Sequence, residues 1–424
     1  MNDPFDLVIV GAGAAGVGAA RLLAGENLSV VTLEAAPRVG GRMATVEIGG
    51  LTLDFGAEWL HSALRNPWTR LGEDVGFALD RRRANWRMQY KNLGFSPEEQ
   101  EAAGAAYQAW SDALAAAPDD CAAKTLPPQG AWNAYVRALA GYVSGAELED
   151  LSARDYAIYD AAAGAENWRV PHGFGALAAA AWPQRIPLRL ATPANALRLT
   201  ATGVALDTRG GEVKARAALV TVSTAVLAGD AIDWPRELSP WREAAAALPL
   251  GRNEKLFFEI GNAAAPFEDD THLIGDPRDS ASASFDIKPW GRPMIECFLG
   301  GAGAQAVARE GPACAFAAAE DALARLFGAN IRRALRPLAA THWGRDPRIG
   351  GAYSAALPGR ADAREALARP FDDRVFFAGE ATDPQDFTTA HGAYASGQRA
   401  ARQALAALTR QDPSRQDPSR PPAR

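Results

Sequence analysis

Residues 6–16, DLVIVGAGAAG, set three glycines at the spacing that lets a backbone close on a pyrophosphate. Gly11 permits the tight turn, Gly13 lets the chain approach the anion, and Gly16 lets the following helix pack on the strand. Ala14 and Ala15 lie between them and open the helical stretch VGAARLLAG, whose free N–H groups turn towards negative charge. A second strand, LSVVTLE, ends in Glu34, at the distance expected of an acid accepting hydrogen bonds from a ribose 2′-hydroxyl. Far from this cluster, GRNEKLFFEI at 251–260 carries Lys255, one of five lysines beside 39 arginines. Alternation puts Lys255 on one strand face with Phe257 and Glu259, and Leu256, Phe258 and Ile260 on the other. A compact ammonium on a flexible stem can change protonation when desolvated, and a guanidinium cannot.

The first cluster needs a parallel α/β sheet with its ligand at the strand ends, and the chain is long enough to add a second domain. It has 424 residues, 48% of them hydrophobic. A net charge of -6 with scattered basic residues argues against a nucleic-acid partner. Cys121, Cys297 and Cys314 lie far apart and form no CxxC, so neither a disulfide framework nor a metal site is expected. The apolar opening carries Asp3 and Asp6 where a signal peptide needs basic residues. No window offers the ~18–20 uninterrupted apolar residues of a membrane span, so a soluble cytoplasmic protein is expected. The tail repeats QDPSR and is rich in Pro and charge, which predicts disorder over 409–424.

NAD uses the same glycine motif, and the following residues decide between cofactors. EAAPRVGGRMAT (34–45) is similar to the FAD site of oxidoreductases of the two-dinucleotide-fold type, with Gly40 and Gly41 allowing close approach and Arg42 meeting the pyrophosphate or flavin. Four more stretches resemble the flavin-containing amine oxidases, the monoamine and polyamine oxidase family. They are LTLDFGAEWLHS (51–62), ATPANALRL with ALVTVSTAVL (191–199 and 218–227), HWGRDPRIGGAYSAALPG (342–359) and RVFFAGEATDPQDFTTAHGAYASGQRAA (374–401). The resemblance implies an α/β, Rossmann-like FAD-binding domain from 1–80, 190–250 and 345–408. A second, α+β substrate-binding domain with a mixed sheet and helices comes from 81–189 and 251–344.

The same resemblance assigns roles. Gly56, Ala57 and Glu58 pass beside the flavin, Ala194 stands at the adenine end where valine is usual, and Trp343, Gly379, Glu380, Thr389 and Ala390 complete the FAD site. The start of the last helix, near Ala390 to Gly392, faces flavin N1 and O2. Lys255 follows the family lead-in as LPLGRNEK and binds a water next to flavin N5. Tyr353 is one of two side chains flanking the substrate nitrogen, and the second position falls on Thr389, where monoamine and polyamine oxidases commonly have tyrosine and the histone demethylase branch has threonine. That departure implies a wider or more polar pocket, for a bulkier or secondary amine. His61 lies where polyamine oxidases place a histidine or glutamate near the substrate, and Glu58, more weakly Glu166, could attract a second ammonium. His172 replaces a usual glycine, with no functional account. The arginine that binds an amino-acid carboxylate is missing.

The implied reaction is oxidative deamination of a small-molecule amine with O2 as acceptor, polyamine-like substrates being slightly favoured. A dehydrogenase passing electrons to a carrier, a flavin enzyme for a non-amine substrate such as a tetrapyrrole or carotenoid, and a flavin-stabilised binding protein are the alternatives. The cysteine that bonds FAD covalently in some relatives is replaced by Ala352, so FAD is expected to be non-covalent. Precipitation with trichloroacetic acid should leave the yellow colour in the supernatant; a yellow pellet would contradict this.

Overall fold

The computed structural model describes residues 4–86, 88–261 and 266–411. Most of the predicted disordered tail, 412–424, lies outside the described residues, whereas 409–411 finish the helix Ala390–Gln411.

The apolar run Phe5–Val10 is buried on both sides and sits centrally in a seven-stranded sheet. It pairs in parallel with Val30–Leu33 and Gly211–Val220, and Val375–Phe377 pairs in parallel with the end of Gly211–Val220. Antiparallel hairpin strands, Gly203–Thr208 and Ala194–Thr200, extend the sheet, so the mixed pairing lies here. Alternate residues serve two cores. Leu7, Ile9, Ala217, Leu219 and Phe376 meet the helices Ala14–Leu23 and Ala390–Gln411, and Val8, Val10, Ala218, Val220 and Phe377 fill the other face. The two helices touch backbone to backbone. A Cβ on Gly18 would stand 2.2 Å from the Tyr394 carbonyl, and one on Gly397 would stand 1.9 Å from that of Ala15. Val170, the helix Phe174–Ala180 and Ile186 also pack into this layer, although the sequence places them in the substrate domain.

The second sheet, Thr271–Ile274, Ser284–Ile287, Met294–Gly300, Asn253–Ile260 and Leu335–Ala340, is antiparallel throughout. Its two faces differ as the alternation around Lys255 requires. Leu256, Phe258, Ile295, Cys297 and Phe285 form a core with the helices Gly301–Glu310 and Pro312–Phe327. The opposite face carries Lys255, Phe257, Phe298, Glu296 and Asp286, and there Phe257 packs against Leu51 and Leu53 of the strand Leu51–Asp54. Among the described residues no helix is long and apolar enough to cross a membrane.

A helical layer built on Trp110, Leu114, Val136 and Tyr156 reaches the first unit through an ion pair. Asp155, on the helix Ala153–Ala162, takes a bidentate pair of bonds from Arg364 at 2.6 and 2.7 Å, and both residues are buried. Arg364→Met leaves that carboxylate without its cation inside the protein, and should cost about 3–5 kcal/mol. A lowered urea midpoint at unchanged slope is the expected reading; an unchanged midpoint would show that the pair contributes nothing to stability.

Candidate active site

The sheet delivers the chain to Gly11, where φ is +108°. A side chain here would lie 2.5 Å from the Thr221 hydroxyl, which donates to the carbonyls of Val10 and Gly11. At Gly16 a Cβ would lie 2.2 Å from the Gly11 carbonyl, so the helix Ala14–Leu23 seats directly on the turn. Gly13 differs, since the nearest atom to its added Cβ is 3.9 Å away and the space in front of it is open to a ligand. The first-turn N–H groups at Ala14, Ala15 and Gly16 have no intrahelical acceptor, which is the arrangement that receives a phosphate. Glu34 is buried and accepts from the backbone N–H of Ala12 and Ala36, both at 2.7 Å. Its own carbonyl receives Thr192 N–H at 2.8 Å, which brings the turn before Ala194 alongside.

Arg42 comes next to this cradle because Gly40 bridges Gly13 and Gly41 lies within reach of the Gly13 backbone. Its guanidinium bonds the carboxylate of Glu380 at 3.0 Å and the carbonyl of Ala352. Gly56 passes so close to the Arg42 carbonyl that no side chain fits, Ala57 N–H bonds that carbonyl at 3.1 Å, and the Trp343 indole donates to Phe55 O at 2.9 Å. Gly379 and Glu380 follow the strand Val375–Phe377 and line a cavity with Arg42, Val222 and Ser223. A glycine cradle at a helix end, a buried acid and a guanidinium in a cavity fit the FAD that the sequence resemblance implies.

Glu380 accepts four bonds: from Arg42, from the N–H and hydroxyl of Ser354, and from Thr388 N–H. Burial raises its pKa, but the charges of Arg42 and Arg364 outweigh that and hold it below the usual carboxylate range. The segments carrying Tyr353 and Thr389 are thereby tied to one carboxylate. Tyr353 is half-buried and donates its hydroxyl to the Tyr142 carbonyl. Thr388 holds φ at +66°, a strained conformation for a β-branched residue. Thr389 is buried; its hydroxyl donates to Asp386 O at 2.5 Å and accepts from Gly392 N–H at 3.0 Å, capping the helix that begins at Ala390.

Lys255 reaches from the second sheet to the strand Leu51–Asp54. Its Nζ lies 3.0 Å from Asp54 O, 2.9 Å from a Glu58 carboxylate oxygen and 2.7 Å from one of Glu296. Three acceptors match the three donors of an ammonium. Burial opposes the charge, yet the two carboxyl groups outweigh it and raise the lysine pKa. Glu58 is therefore engaged by Lys255. His61 lies beyond it in the turn that follows the short ribbon Trp59–Leu60 with Trp168–Arg169, its Nδ1 3.0 Å from Asn167 Oδ1 and its ring 5.6 Å from that of Trp86. Burial pushes His61 down to about 4, so the imidazole is neutral.

Sequence reasoning missed Glu296, Ser354, Arg364 and Asp155. The signal for Glu296 was present, a lone acid in the strand MIECFLG, which the structure sets opposite Phe257 on the Lys255 face.

A family model described as flavin containing amine oxidoreductase matches residues 114–405, and one for an NAD(P)-binding Rossmann-like domain matches residues 9–71. The chain is 26% identical to polyamine oxidase 4 of Oryza sativa subsp. japonica over 94% of this chain and 88% of that protein. It is 27% identical to polyamine oxidase 1 of the same plant over 94% and 96%. A solved structure of wild-type putrescine oxidase bound to putrescine shares the fold, with a TM-score of 0.77 at 18% identity over 95% of this chain and 99% of that one. With more than half of its length matched by the first model, and with the cradle and the buried lysine in place, the chain belongs to the flavin-containing amine oxidoreductase family.

Proposed function

We propose that this protein is an FAD-dependent amine oxidase that deaminates a primary or secondary amine, with FAD held non-covalently. The observation that supports this most is the buried Lys255 ammonium. It stands on the sheet face that meets residues 51–58, and these in turn touch Arg42 of the FAD cradle. FAD, when bound, supplies a hydride acceptor for the α-carbon of a neutral amine; the imine that leaves is hydrolysed by water, and O2 takes the electrons as H2O2.

The chain's own part is positioning and charge. The Tyr353 ring is fixed by its bond to the Tyr142 carbonyl, and the end of the helix Ala390–Gln411 is fixed by Thr389, so that its dipole favours anionic charge at one place. Ala352 offers no thiol, and its carbonyl receives Arg42. No side-chain base is required when the amine binds neutral, so the rate should rise with pH through the substrate's own ammonium pKa.

The full-length likeness to polyamine oxidases favours polyamine-like substrates. A second reading, amines whose far end is apolar or aromatic, is favoured by the site itself. Glu58 is taken by Lys255, His61 is neutral, and the rings of Trp59 and Trp86 stand 4.4 Å apart beside it, so a second ammonium finds no free acid at these positions.

A screen of putrescine, spermidine, N-acetylated polyamines and aryl-alkyl monoamines for H2O2 release tests the proposal and separates the two readings. Anaerobic bleaching of the flavin by an amine that releases no H2O2 in air would point to a carrier instead of O2. Lys255→Met should retain FAD and slow flavin reduction or reoxidation by about 10²-fold. Unchanged rates in both half-reactions under stopped flow would remove Lys255 from the mechanism.

A further inference from the structure

Two buried acids on one lysine need an account that amine oxidation alone does not supply. Glu58 and Glu296 come from different segments, are 9% and 6% exposed, and each set a carboxyl oxygen against the same Lys255 Nζ, at 2.9 and 2.7 Å. Two ionised carboxylates side by side out of water repel, and one ammonium neutralises only one of them, so a proton on the other relieves the excess charge. We propose that Glu58 and Glu296 share a single proton and together hold one negative charge against Lys255, keeping it an ammonium and fixing where it points. They are positioning residues, and the proposal deepens the amine-oxidase reading, resting on it for turnover alone.

The surroundings agree. Burial, with the charge of Glu58 added, raises Glu296 well above the ordinary range. At Glu58 burial also pushes upward, but Lys255, Glu296 and Arg169 outweigh it and bring it below that range. The other charged groups facing the cluster are Asp54 at the end of the strand Leu51–Asp54, Asp286 on the strand beside Glu296, Arg169 on the short ribbon, and Arg292. Burial lifts Asp54 to about 6 and Asp286 to about 7, so near neutrality Asp54 is largely ionised and Asp286 partly so. This added negative charge favours keeping a proton on the pair; the Asp54 carboxylate itself accepts from the Thr45 hydroxyl and Phe174 N–H. Both members of the pair line a small pocket with Thr52, Asp54, Trp290 and Arg292, which gives the shared proton a route of exchange. The Lys255 donors are saturated, so its contribution is a held positive charge.

The scarcity of lysine makes this measurable. Labelling lysine Cε with 13C in the FAD-loaded protein yields five signals, and the one lost in Lys255→Met is Lys255. In the wild type, in Glu58→Gln and in Glu296→Gln, that signal should stay at its ammonium position between about pH 6 and 10, since either acid alone can carry the charge. In the double variant it should titrate within that range, and turnover should fall at least about ten-fold below either single variant. Titration in Glu58→Gln alone would overturn the shared proton, because Glu296 has then failed to ionise in its place. An ammonium signal that persists in the double variant would overturn the pair's role; should the double variant not fold, Glu58→Gln decides alone. If the wild type oxidises no amine, the amine-oxidase reading fails while the titration still decides the pair.

Discussion

Four hydrogen bonds converge on the buried carboxylate of Glu380, and they come from Arg42, Ser354 and Thr388. A carboxylate out of water must be surrounded by donors, and no single element offers four. Three segments far apart in sequence meet that need here, and each carries a piece of the site beside its donor: the glycine turn at 40–41, Tyr353, and Thr389. Arg364, stacked on Phe387 and bonded to the Ser354 hydroxyl, extends the arrangement to Asp155 in the helical layer. Satisfying one buried charge therefore brings the glycine turn, the segment of Tyr353, the start of the last helix and the helical layer together.

The antiparallel sheet supplies the other half by having unlike faces. One is closed by helices and contains only what a core tolerates. The other meets the strand Leu51–Asp54 and holds Lys255, Glu296 and Asp286. Polar groups on that face can stay buried only because the opposing segment offers the Asp54 carbonyl and the Glu58 carboxylate. The Asp54 and Glu58 acceptors of Lys255 thus also join the antiparallel sheet to the segment 51–58.

Much of this was legible in the sequence, for local reasons. The cradle at Gly11 to Gly16, Glu34 at its strand end and the two faces around Lys255 follow from spacing and alternation, which act over a few residues. Resemblance supplied Arg42, Glu380 and Tyr353, and the structure sets Glu380 against both Arg42 and the neighbour of Tyr353. What stayed hidden depends on contacts between remote segments. Glu296 reads as one acid in an apolar strand until Lys255 is seen to need two acceptors, and Arg364 reads as one of 39 arginines until Asp155 is placed against it. The mixed second sheet is what the resemblance implies, and alternation, which reveals faces and says nothing of direction, offers no check on it; its pairings are antiparallel, and the mixed ones belong to the Rossmann-like sheet.

The Thr389 hydroxyl links a helix end to the preceding loop. A tyrosine there has no oxygen close enough to its backbone to cap the first turn. Replacing Thr389 by a residue with a ring leaves the Gly392 N–H in need of another acceptor, so changing this side chain also changes how the helix begins. The side chain at 389 and the start of the helix Ala390–Gln411 are thus a single choice, and Asp386 and Gly392, which bond that hydroxyl, are where a compensating change would have to fall.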